Sequence, residues 1–138
     1  MGTRSNTYVV ETWGKRDDIL VNMYRQMDGY PSGMGKEIAD FLTGIKIRNG
    51  MTLNGEETTK YANGTSCLAA QLVAHLKTGE GSIYLEVPNG IKTEHNYTYV
   101  IRGNTETHKI NIEVFEYETS IFKGTPAKFA KFCTTYKD

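Results

Sequence analysis

Apolar and polar positions alternate or cluster differently along this chain, and the change of period outlines its elements. Thr7 to Trp13 and Ile19 to Arg25 are rich in β-branched and aromatic residues. The polar stretch Gly14-Lys15-Arg16-Asp17-Asp18 joins them, so the two read as a hairpin. Ile38, Phe41, Leu42 and Ile45 then fall at i, i+3, i+4 and i+7, the stripe of a short amphipathic helix with Gly44 near its end. From Lys46 to Asn63 the period is lost. Asn49-Gly50 and Asn54-Gly55 mark turns there, and the stretch is expected to be irregular. Leu68, Leu72, Val73 and Leu76 restore helical spacing, with Thr65 or Ser66 as the expected cap and Gly79 as the stop.

The second half returns to strands. Ser82 to Val87, Tyr97 to Arg102 and Lys109 to Tyr117 favour β residues, and Ser120 to Lys123 adds a short one. Thr125-Pro126 sets a capping residue before a proline at the first helical position, and Phe129, Phe132, Cys133 and Tyr136 supply that helix's buried stripe. The order β-β-α-α-β-β-β-(β)-α has no regular βαβ alternation. It predicts a single α+β domain over residues 1–138: a mostly antiparallel sheet of five to six strands with three helices packed on one face. Phe129, Phe132, Leu68, Leu72, Phe41 and Ile38 are expected in one core.

At 138 residues the chain is long enough to bury a core without staples. Sixteen basic residues balance sixteen acidic ones, eight of each in either half, so no charged tail recruits duplex nucleic acid or lipid. Cys67 and Cys133 lie in apolar helical patterns and read as buried free thiols. No long apolar run or leader pattern is visible, and the expected setting is the cytoplasm.

The most informative stretch is Asp28-Gly29-Tyr30-Pro31-Ser32-Gly33-Met34-Gly35, three glycines and a proline leading into a helix. With Ser32 as cap, the amides of Gly33, Met34 and Gly35 would be free donors, and Lys36 would add charge: the chemistry of anion binding at a helix N-terminus. The named phosphate motifs do not fit. Tyr30 stands where a Walker loop needs its first glycine, and Glu37 replaces the metal-binding hydroxyl. A structural turn that only needs glycine accounts for the same residues. Arg4 and Arg25 fall at the open end of the predicted hairpin, close to this loop, either pairing with Asp28 or aimed at a phosphate or carboxylate. Tyr8, Tyr24 and Tyr30 could supply a stacking face.

Enzyme signatures are missing. His75 falls on the flank of an apolar helix, His95 and His108 have no ligand-spaced neighbours, and Gly64-Thr65-Ser66-Cys67-Leu68 lacks the second glycine of a nucleophile elbow. The reading therefore calls for no metal and no cofactor and leans away from catalysis, with a hydrolytic set of His95, Asp28 and Tyr30 left open.

Met1-Gly2-Thr3-Arg4-Ser5, followed by a strand and Tyr24-Arg25-Gln26-Met27-Asp28-Gly29-Tyr30-Pro31-Ser32-Gly33, resembles an uncharacterised family of small phage and bacterial proteins. The likeness is strong over the first third and looser through Gly64 to Leu76. It implies an accessory protein of mobile-element origin, a class that includes inhibitors of host defence and sponges for nucleotide signals. The combined expectation is a non-catalytic, counter-defence binding protein. It would sequester a small anionic, nucleotide-derived ligand at Arg4, Arg25, Asp28, Tyr30, Ser32, Gly33, Gly35 and Lys36. The alternatives are an inhibitor that docks on a host protein through an exposed edge strand or aromatic patch, and a small nucleotide-processing enzyme. A homo-oligomer is left open.

Overall fold

The structure, a computed structural model, describes residues 2–50 and 58–137. The expected Asn54-Gly55 turn lies outside them. Strand β1 (Ser5–Trp13) turns at Gly14 into β2 (Arg16–Arg25), as the hairpin pattern requires. A five-residue π-helical turn, Pro31–Gly35, leads into α1 (Lys36–Leu42). Two short parallel strands, β3 (Lys46–Arg48) and β4 (Tyr61–Asn63), flank the middle segment. Their regular pairing corrects the expectation that 46–63 is wholly irregular: Ile47 and Ala62 are both buried and anchor the pair to the core. Helix α2 (Gly64–Leu76), β5 (Tyr84–Glu86), β6 (Tyr97–Gly103), β7 (Ile110–Glu116), β8 (Thr119–Gly124) and α3 (Pro126–Thr135) complete the order.

The main sheet runs β5-β2-β1-β6-β7-β8. Every pairing in it is antiparallel except β1 with β6, which run parallel with Ser5 beside Tyr97 and Glu11 beside Gly103. The fold is thus α+β, with a mostly antiparallel sheet. Strand β1 lies at its centre and is buried from Ser5 to Glu11, because both faces of the sheet are covered there.

One face carries the helices. Val9, Met23, Tyr99, Ile101, Ile112 and Val114 from the strands meet Ile38, Leu68, Leu72 and Phe129 from the helices in one cluster. All six expected core residues belong to it, although Phe41 and Phe132 are only half-buried at its margin. On the opposite face Tyr8, Val10 and Val100 form a smaller cluster beneath Ile91. The Tyr8 hydroxyl accepts from the Lys92 amide at 3.0 Å, latching the irregular segment 87–96 across that face.

Helix ends show where side-chain chemistry acts. At α3 the Thr125 hydroxyl accepts from the Lys128 amide and Pro126 follows it, as the pattern implied. At α2 the expected Thr65 or Ser66 cap is not formed, because Asn63 holds the capping position without a side-chain bond and Thr65 lies inside the helix. The Thr65 hydroxyl instead donates to the buried Glu11 carboxylate at 3.0 Å, and the Thr105 amide and hydroxyl also donate to Glu11. The carboxylate sits at the positive end of α2, so strand and helix are tied by a fully satisfied charge.

Candidate functional site

Strand β2 ends at Arg25, and the chain then has to reverse toward α1. Arg25 organises that reversal. Its Nε donates to the Met27 carbonyl at 2.8 Å, and its Nη1 lies 2.6 Å from the Glu37 carboxylate and 3.3 Å from the Met34 sulfur. The expected acidic partner, Asp28, is thus replaced by Glu37, which α1 places one turn closer to the guanidinium. Asp28 takes the left-handed conformation at φ 57° and accepts a 3.0 Å bond from the Tyr30 hydroxyl.

The loop amides do not point outward. The Gly33 and Gly35 amides donate to the Tyr30 carbonyl and the Met34 amide to the Asp28 carbonyl, which makes the π-helical turn. Ser32 does not cap: Tyr30 occupies that position, with no side-chain bond. The expected set of free donors is therefore corrected, since the turn's own carbonyls use all three. The glycines are required by packing. A Cβ on Gly33 would drive into the Asp28 carbonyl, and one on Gly35 would come within 2.9 Å of the Cys133 sulfur. Below them the Tyr99 hydroxyl donates to the Gly29 carbonyl at 2.7 Å, fixing the loop to the sheet.

A second segment faces this loop. After α2, the Lys77 ammonium donates to the carbonyls of Gly81 at 2.6 Å and Ile83 at 3.0 Å, folding residues 78–83 into a tight bend. Ser82 within it is held at φ 53°. Between the two segments lies a cleft of about 260 Å³ lined by Arg25, Gln26, Met27, Asp28, Gly81, Ser82 and Tyr84. Four non-glycine residues have positive φ among those described, Asp28, Ser82, His108 and Tyr117. The last two lie in the turns between consecutive strands; the other two face each other across this cleft. Strained backbone gathered at one concavity is a pointer to function.

Of the expected site residues, Arg25 and Asp28 line the cleft. Tyr30 reaches it only through its bond to Asp28, and Ser32, Gly33, Gly35 and Lys36 lie outside its lining. Lys36 is exposed, 3.4 Å from Asp40 one turn along α1. Arg4 is exposed too, its amide donating to Asn96 and its carbonyl accepting from Tyr97, so it belongs to the β6 side of β1. The hydrolytic set does not assemble among the described residues. Tyr30 bonds Asp28, whereas the His95 ring packs 5.2 Å from Tyr24. His75 is exposed beside Phe41 rather than buried.

Gln26, Ser82 and Tyr84 were not foreseen. Gly79-Glu80-Gly81-Ser82 is itself a glycine-rich run, which marks a second special bend, but no local pattern pairs β5 with β2. The cleft offers the Asp28 carboxylate, the Ser82 hydroxyl, the Gln26 amide and the half-exposed Tyr84 ring, whose centroid lies 6.2 Å from that of Tyr24. Arg25 contributes Nη2, which no bond among the described residues engages. No protein-family model, curated protein or solved structure matches the chain.

Proposed function

We propose that the protein is a non-catalytic binding protein that holds a small nucleotide-derived ligand in the cleft between residues 25–28 and 81–84. The observation that carries this reading is the pair of strained residues, Asp28 and Ser82, facing one another across it. The polar groups suit a nucleoside. An aromatic face at Tyr84 takes the base, Asp28 and Gln26 meet its hydrogen-bonding edge, and Arg25 Nη2 serves an anionic substituent. The cleft holds only part of a dinucleotide, so the recognised unit is about one nucleoside with its phosphate. The resemblance of the N-terminal third to small phage and bacterial proteins gives this reading its setting: a sponge for a nucleotide signal in counter-defence.

Calorimetry against linear and cyclic nucleotides tests it. Wild type should bind at least one member without consuming it. Tyr84→Ala should stay folded and lose about 1–3 kcal/mol, or roughly 5- to 150-fold in affinity, the worth of one stacked base. Wild type that binds none of the panel overturns the reading, and turnover of a bound nucleotide overturns its non-catalytic part.

A further inference from the structure

The two edges of the main sheet are finished differently. At β8, Lys123 is exposed, the pairing with β7 carries a bulge, and Phe122 is covered by Phe129 and Phe132 of α3. These are the usual devices that keep an edge from pairing with another chain. At β5 they are missing. Tyr84, Leu85 and Val87 are 51%, 64% and 79% exposed, and Met27 beside them is 63% exposed. Four of the five large exposed hydrophobic residues thus gather at one edge.

We infer that this edge pairs with β5 of a second copy of the chain, antiparallel and centred on Leu85, to form a two-fold dimer. The register follows from the strand itself. Its extended stretch runs from Ile83 to Val87, bounded by Ser82 in the left-handed conformation and by Pro88, which has no amide hydrogen to give. Leu85 is the midpoint. Antiparallel pairing about it sets Ile83 opposite Val87 of the second copy and Tyr84 opposite its Glu86. Centring on Glu86 instead would oppose two carboxylates directly.

The side chains fit the same register. Between β5 and the C-terminal half of α2 lies an apolar groove of about 380 Å³ lined by Val73, Lys77, Ile83, Tyr84 and Leu85. Residues directly opposite in an antiparallel pair project from the same face. Val87 of the second copy, opposite Ile83, is thereby delivered to this groove, and the symmetry repeats the contact. The two-fold axis stands perpendicular to the sheet, so both helix layers lie on one side of a continuous twelve-stranded sheet. This inference rests on the edge, not on ligand binding.

Sedimentation of the full chain over a range of concentrations should show a reversible dimer. Val87→Lys should remain folded by circular dichroism and weaken association about 30-fold or more, because its ammonium would enter an apolar groove unpaired. Leu85→Cys in a Cys67→Ser background should give a disulfide-linked dimer under mild oxidation, since the two residues meet on the axis. A wild type that stays monomeric throughout overturns the proposal, including one that pairs only with a strand of another protein. A dimer undiminished in a folded Val87→Lys variant overturns it as well. Should that variant unfold, failure of the Leu85→Cys chain to cross-link decides against the proposal.

Discussion

The two walls of the cleft are both rich in glycine, for opposite reasons. In the first wall, Gly33 and Gly35 sit where any Cβ would collide with the Asp28 carbonyl or the Cys133 sulfur. In the second segment and its continuation, Gly79 and Gly90 have open space where a Cβ would stand, but take φ of +148° and +79°. The first set is needed because the backbone is crowded, the second because it bends. A crowded wall is rigid and belongs to the core; a bent and open one is held by a few bonds such as those of Lys77. The cleft therefore has a fixed side and a side free to adjust, and substitutions on the two should separate cleanly.

The largest effect is expected beneath the fixed side. Phe129 is fully buried in α3, with its ring 6.2 Å from Tyr99, the residue that fastens the loop at Gly29. Phe129→Ala should cost about 3–5 kcal/mol in chemical denaturation, combining lost burial with a cavity. It should also loosen the 28–35 loop, seen as faster amide exchange at Met34. A loss below about 1 kcal/mol would show that the loop does not depend on this floor.

Next comes the direct comparison of glycines. Gly33→Ala forces a methyl group into a backbone carbonyl that cannot rotate away, and should cost about 1–3 kcal/mol or more. Gly90→Ala meets no atom and carries only the left-handed penalty, about 1 kcal/mol. Equal losses in thermal or urea unfolding would break the distinction between crowding and bending.

Much of the fold could be read along the chain because it rests on local signals. The β1–β2 hairpin follows from two β-rich runs around Gly14, and α3 from Thr125-Pro126 ahead of Phe129 and Phe132. The pairing of β1 with β6 has no such signal, since parallel neighbours far apart in sequence are chosen by packing on both faces. The site divides in the same way. Asp28 to Gly35 was conspicuous because glycine and proline mark special backbone, but composition cannot tell a turn that offers its amides from one that uses them. Tyr84 and Ser82 joined the cleft only through the β2–β5 register, which brings Tyr24 beside Tyr84. Glu11 drew no attention either, because an acidic residue inside a β-rich run shows its partners Thr65 and Thr105 only after folding.

The smallest effect reports on the fixed wall without perturbing it. Burial, reinforced by the Asp40 carboxylate, pushes the Cys133 thiol up from its ordinary 9.0 to about 12. The folded protein therefore holds that proton more tightly than the unfolded chain. The associated stability is fully present below pH 9 and is lost as the pH rises toward 12. At about pH 8 a thiol reagent should modify the half-buried Cys67 while Cys133 stays protected until unfolding. Gly90→Ala should leave that protection intact, because it touches only the open segment. Gly35→Ala, whose new methyl would press on the Cys133 sulfur, should shorten the protection time at unchanged global stability or abolish it with unfolding. Rapid labelling of Cys133 in the wild type would mean that the loop does not seal α3, and the contrast between a crowded and an open wall would fall with it.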